Sequence, residues 1–145
     1  MRFPIFELER VQSLYENTVE YNLTESGFHP YTLEELLTAD QLQELHRTVL
    51  GYGQTNGSVE VRERIAALYS GQTLDNVLVT NGSSEANYVA CHTLLEPGDE
   101  VVMMIPNYMQ IWGVAEELGA RPIGFHLREE NRWAPDLDEL RRVVS

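Results

Sequence analysis

The chain has 145 residues, 43% of them hydrophobic and 23% charged, which is the balance of one soluble globular domain. Ten basic residues against 23 acidic ones give a net charge of −13. That argues against nucleic acid and anionic membrane as partners, since both attract positive charge.

All ten basic residues are Arg, and the chain contains no Lys. Its one Cys, Cys91, rules out an internal disulfide framework and fits a reducing compartment. The opening "MRFPIFELERV" soon carries Glu7 and Glu9 and lacks the apolar core of a signal peptide. No uncharged apolar run approaches the ~18 residues that a membrane span needs. The expectation is a cytoplasmic protein.

Ile5, Leu8, Val11, Leu14 and Tyr15 recur at helical spacing and predict a first helix within residues 5–20. "NLTESGFHPY" breaks the pattern, with Gly27 and Pro30 marking a loop. Thr32 and Glu35 are spaced as a capping box, and helical character runs on to about Val49 with a break expected near Asp40. "GYGQTNGS" is a second loop. Ser58 can cap the next helix, Val61, Ile65 and Leu68 form its expected buried stripe, and Gly71 stands where a C-terminal cap belongs. The first ~50 residues therefore read as a helical arm.

"NVLVT" then reads as a buried strand, followed by a helix from Ser84 to Leu95 with Ala86, Val89, Ala90 and Leu94 on its core face. "VVMMI" is a second strand, apolar on both faces. Ile111, Val114, Ala115 and Leu118 predict a further amphipathic helix ending at Gly119, and "RPIGFHL" a third strand. Asp136 is placed to cap a last helix, with Glu139 three residues on. The order β-α-β-α-β-α from Asn76 onward implies an α/β fold with a parallel sheet and right-handed crossovers.

Ligands of such sheets bind at the carboxyl ends of the strands. "TNGSSEA" lies at one such end and opens a helix, so unpaired amides and the helix dipole favour an anion there. Gly82 lets the backbone approach a ligand, and Ser83 and Ser84 add hydroxyls. The competing reading is that one of these serines only caps the helix. The G-x-G-x-x-G and G-x-x-x-x-G-K-[ST] fingerprints of nucleotide sites are absent, which disfavours an unrelated nucleotide binder. Tyr108, in "IPNYMQIW", falls at the end of the next strand, where it can stack on a flat ligand or simply cover core.

"LGYGQTNGSVEVRERIAALY" followed by "VLVTNGSSEANYVACHTLLEPGDEVVMMIPNYMQIWGVAEELGARPI" resembles the N-terminal part of the class I/II aminotransferases, pyridoxal-phosphate enzymes of fold type I. The likeness runs from about Gly51 to the chain end. It rests on four pieces in order, "YG-x-T-x-G-x-x-x-x-R", "VTNG-S-x-EA", "L-PGDEV" and "P-x-Y". "ESGFHPYTLEELL" further resembles a subgroup that includes capreomycidine-synthase-like aminotransferases.

The resemblance implies an N-terminal helical arm over residues 1–50 and the first part of the cofactor-binding large domain over 51–145. It implies that Gly82, Ser83 and Ser84 hold the phosphate of pyridoxal 5'-phosphate and that Tyr108 stacks on its ring. It implies that Tyr52 reaches the phosphate of a neighbouring subunit in a homodimer, and that the loop at Gly27 covers the substrate carboxylate. Arg62 matches a characteristic Arg of the family and reads as structural. The substrates implied are an amino acid and a 2-keto acid.

The departure from the family concerns its lysine, which forms a Schiff base with the cofactor and shuttles a proton. This chain has no Lys, so no catalytic residue is assigned in it. The family places the Lys, the ring-nitrogen Asp and the carboxylate-binding Arg after the third strand, and later strands between the first strand and the second. The chain is accordingly expected to be an N-terminal portion completed by a C-terminal part. The alternative is a non-catalytic subunit that associates with a full-length relative. The four His residues show no metal-ligand spacing, Cys91 reads as a buried inert thiol, and Trp112 and Trp133 read as packing residues.

Overall fold

The computed structural model describes residues 5–144, so residues 1–4 and Ser145 of the two segments above lie outside it. The chain forms two compact units, one of Met1–Arg10 with Val79–Ser145, the other of Val11–Leu78. α1, Glu7–Tyr15, begins in the first and continues into the second.

The second unit is helical. Thr32 accepts from the Glu35 amide at 3.2 Å while the Glu35 carboxylate accepts from the Thr32 amide at 2.8 Å, so the predicted capping box opens α2, Leu33–Leu36. The break falls at Leu37, earlier than expected, because Thr38 and Gln41 form a second box that opens α3, Ala39–His46. α4, Val59–Ala66, is capped by Ser58 as predicted.

The buried face of α4 differs from expectation. Val61 is 44% and Leu68 78% exposed, whereas Arg62 and Ala66 are buried at 6% and 4%. Arg62 sets this rotation. Its Nε donates to the Gly57 carbonyl and its Nη1 to the Leu74 carbonyl, both at 3.0 Å, which fixes the loop before the helix and the 3-10 turn Leu74–Asn76 after it. Gly71 takes its left-handed turn only after the helix has ended at Ala67.

"NVLVT" forms no ladder among the described residues. Val77 is extended, but a strand needs a neighbour, and the sheet here has two strands only. They are β1, Glu100–Ile105, and β2, Arg121–His126, parallel and in register from Glu100↔Arg121 to Ile105↔His126. The first pair is an ion pair. α6, Gln110–Glu117, makes the crossover and buries Val114 and Ala115, as its pattern predicted.

α5, Gly82–Leu94, turns Cys91 inward and half-buries Asn87. Its apolar positions Ala86, Val89, Ala90 and Leu94 are exposed, because α6 covers only one stripe of the helix. Burial pushes the Cys91 thiol up, in keeping with an inert role. Trp112 is half-buried, but Trp133, in a left-handed turn with Arg132, is 54% exposed and not a packing residue.

α7, Leu137–Val143, is capped by Asp136, which accepts from the Asp138 and Glu139 amides. Glu139 docks the helix on the end of β2. Its carboxylate accepts from the His126 amide at 2.9 Å and from Arg128 Nη1 at 2.6 Å. The Arg128 guanidinium, followed by that amide, holds the Glu139 carboxyl at about 2.

Two predictions follow from these contacts. Arg62→Ala leaves two carbonyls without their charged donor and should cost about 3 kcal/mol in urea unfolding. Arg62→Lys, with a single ammonium, should recover only part of it. Glu139 stabilises the fold when ionised, because its folded pKa lies below the unfolded value. That contribution is complete above about pH 4.3 and is lost as pH falls toward about 2. In Glu139→Gln, stability measured by denaturant midpoint should be lower at pH 7 and should fall less over that acid window.

Candidate cofactor-phosphate site

The site is built from three segments of one unit: the start of α5, the turn after β1, and the beginning of α1. Thr80 and Asn81 lead into α5 through Gly82, whose φ is +82° and whose missing Cβ faces open space. Only glycine adopts that turn without strain. The Asn81 side chain makes no cap to the helix. Instead the Glu85 carboxylate folds back to accept from the Asn81 amide and side chain. The amides of Ser83 and Ser84 then open the helix with no carbonyl behind them in it.

Tyr108 comes to this helix start from the carboxyl end of β1. Tyr108 is 38% exposed, and the Ser84 side chain is near enough to its phenol to pull the phenol's pKa down. Two residues on, Gln110 donates from Nε2 to the Ser84 carbonyl at 2.8 Å and accepts from Asn87 Nδ2 at 3.1 Å. The first turn of α6 is thus clamped to the first turn of α5. From α1, Glu9 accepts the phenol proton of Tyr108 at 2.7 Å. Phe6 meets the Tyr108 ring edge-on, with centroids 4.9 Å apart. The bond to Glu9 pushes the phenol above its ordinary range, and Ser84 pulls the other way.

Gly82, Ser83, Ser84 and Tyr108 are therefore brought together at one strand edge. Tyr52 and Gly27 belong to the other unit. Tyr52 is fully exposed, and Gly27 donates its amide to the Glu25 carboxylate at 2.7 Å with no left-handed backbone to require a glycine. Gln110 and Asn87 escaped sequence reading because amides carry no spacing signal. Glu85 was legible, standing four residues after Asn81 at a helix start. Among the described residues no cluster could hold a metal ion, and no helix is long and apolar enough to cross a membrane.

The profile of the family "Aminotransferase class I and II" matches residues 19–145. The chain belongs to this family. It is 39% identical over 128 residues to capreomycidine synthase of Streptomyces vinaceus, covering 86% of this chain and 33% of that protein. It is 30% identical over 154 residues to aspartate aminotransferase of Pyrococcus horikoshii, covering 99% of this chain and 37% of the relative. Among solved structures, a PLP-dependent aminotransferase from Streptococcus suis superposes with a TM-score of 0.89 at 33% identity, over 100% of this chain and 40% of its own. The fold is that of the N-terminal region of fold type I enzymes. The chain spans 33 to 40% of the length of these relatives.

Pyridoxal phosphate is the cofactor of this aminotransferase family. The residues of the site fit one end of it. Uncharged donors and an open, glycine-lined turn suit its phosphate, and a partly exposed ring beside them suits its aromatic face. Its aldehyde finds no ε-amino group, since the chain has no Lys.

Gly82→Ala tests the turn. With nothing within 4 Å of the new Cβ, its cost is backbone strain alone, and it should destabilise the unit by about 1–2 kcal/mol in denaturant unfolding. Gly53→Ala meets equally open space at an ordinary φ and should change stability by less than about 0.5 kcal/mol.

Proposed function

We propose that the chain is the cofactor-phosphate part of an aminotransferase that moves an amino group between an amino acid and a 2-keto acid. The clamp of the Tyr108 turn onto the first turn of α5, through Gln110 and the Ser84 carbonyl, beside the open turn at Gly82 carries this reading. In it, the Ser83 and Ser84 amides and hydroxyls hold the phosphate. Tyr108 covers the ring and fixes its plane. The bound cofactor supplies an electron sink for negative charge at the carbon bearing the amino group.

Tyr52, exposed and without a described partner, would reach the phosphate of a second copy, and the Gly27 loop would cover the substrate carboxylate. The assembly would then be a homodimer, with residues 1–50 its helical arm and 51–145 the beginning of its large domain. The amine that engages the aldehyde has to come from outside these 145 residues.

That last point supports a second reading, a non-catalytic subunit that keeps the phosphate turn and associates with a longer relative. Mixing the two and following co-elution separates the readings: a complex that gains no transaminase activity favours the subunit. For the site itself, titration with pyridoxal phosphate should give a complex in which borohydride fixes no pyridoxyl group on any side chain. Ser84→Ala and Tyr108→Ala should each weaken it by about tenfold. Unchanged affinity in both variants would remove the site assignment.

A further inference from the structure

Tyr108 is held by a segment that is remote in sequence. Glu9 lies 99 residues away and accepts the phenol proton at 2.7 Å, while Phe6, three residues before it, packs its ring edge-on at 4.9 Å. These contacts fix different things. The hydrogen bond fixes where the phenol oxygen sits, and the aromatic contact fixes the tilt of the ring plane. A tyrosine on a turn with only Ser84 as neighbour would keep rotamer freedom. A ring that must present one face to a flat ligand gains affinity by losing that freedom beforehand.

The proton directions are also set. Tyr108 has one O–H, and it is given to Glu9. The Ser84 hydroxyl can then approach the phenol oxygen only as a donor, which agrees with the opposite pulls of Ser84 and Glu9 on the phenol. With its proton committed, the phenol oxygen has no donor to offer a ligand, so Tyr108 can act only through its ring face.

We infer that Glu9 is a positioning residue for Tyr108, orienting the ring for a planar phosphorylated ligand at the α5 turn. The inference rests on the cofactor-phosphate reading above. It makes α1 part of the site, whereas its Glu-rich sequence reads as a solvated helix face.

The test uses the full 145-residue chain and two probes, pyridoxal phosphate and inorganic phosphate. Glu9 sits on an exposed helix, so its variants should keep the far-ultraviolet circular dichroism of the parent. Glu9→Ala should lower the tyrosinate titration midpoint of Tyr108, isolated by difference against Tyr108→Phe. It should weaken pyridoxal phosphate about threefold to tenfold and leave inorganic phosphate unchanged. Glu9→Gln, whose amide oxygen still accepts the phenol proton, should restore most of the affinity. Glu9→Ala combined with Tyr108→Ala should bind no more weakly than Tyr108→Ala alone.

Additive losses, or pyridoxal phosphate affinity unchanged in Glu9→Ala while Tyr108→Ala loses it, overturn the positioning role and leave the cofactor reading standing. Tighter inorganic phosphate in Glu9→Ala and Glu9→Gln alike would instead show that Glu9 acts on the turn by its charge, which also overturns it. If Tyr108→Ala and Ser84→Ala both bind as the parent does, the cofactor reading fails and the inference goes with it.

Discussion

Two parallel strands cannot be joined by a tight turn. The chain has to return across the sheet, and here α6 supplies the return between β1 and β2. That constraint orders the rest of the first unit. It buries Val114 and Ala115, because the crossover helix lies on the sheet face that carries Met103 and Gly124, where Trp112 approaches Gly124. It puts Ile105 and His126 at the same edge, because the register is even from end to end. The turn that follows β1 must then climb from this edge into α6, and Tyr108 stands in that climb. Gln110, at the first residue of α6, reaches the carbonyl of Ser84 because both helices start at this edge. The site is a consequence of the ladder before it is a collection of donors.

What the sequence made legible follows a rule of locality. The capping box at Thr32 and Glu35, the cap at Ser58, the cap at Asp136 and the stripe of α6 are all decided within one helical turn or one helix, and the structure has them where the pattern puts them. The second box at Thr38 and Gln41 is equally local, with the same three-residue spacing. Patterns that need a distant neighbour fared differently. The apolar side of α5 presumes a sheet wide enough to cover it, and "NVLVT" presumes a strand to pair with. Both lie beyond two strands and one crossover.

Arg62 is the instructive intermediate case. Hydrophobic periodicity predicts Val61, Ile65 and Leu68 as the buried stripe of α4, yet a guanidinium takes the inside position. The reason is polar bookkeeping: the carbonyls of Gly57 and Leu74 need donors, and one planar fork reaches both. Reading Arg62 as structural was right, but its burial was not visible in a scale that ranks arginine as exposed. The candidate site shows the same limit. Gly82, Ser83, Ser84 and Tyr108 stand out in the sequence because turn chemistry and family likeness both single them out. The Glu9–Tyr108 bond closes a separation of 99 residues and leaves no mark in any local pattern.

The electrostatics of the turn give the site its character. A phosphate on a protein of net charge −13 is normally met by Lys or Arg, and this turn contains neither. Two carboxylates stand beside it, Glu85 folded onto Asn81 and Glu9 on Tyr108. Each accepts hydrogen bonds from donors outside the Ser83–Ser84 turn: the Asn81 amide and side chain in one case, the phenol in the other. In the proposed site, the amides of Ser83 and Ser84 and the dipole of a 13-residue helix would be left for an anion. Fixed dipoles of this kind hold charge without a counterion and need little reorganisation when it arrives. The acidic neighbours therefore serve to orient the donors, and the absence of a basic side chain is consistent with an anion site made of backbone.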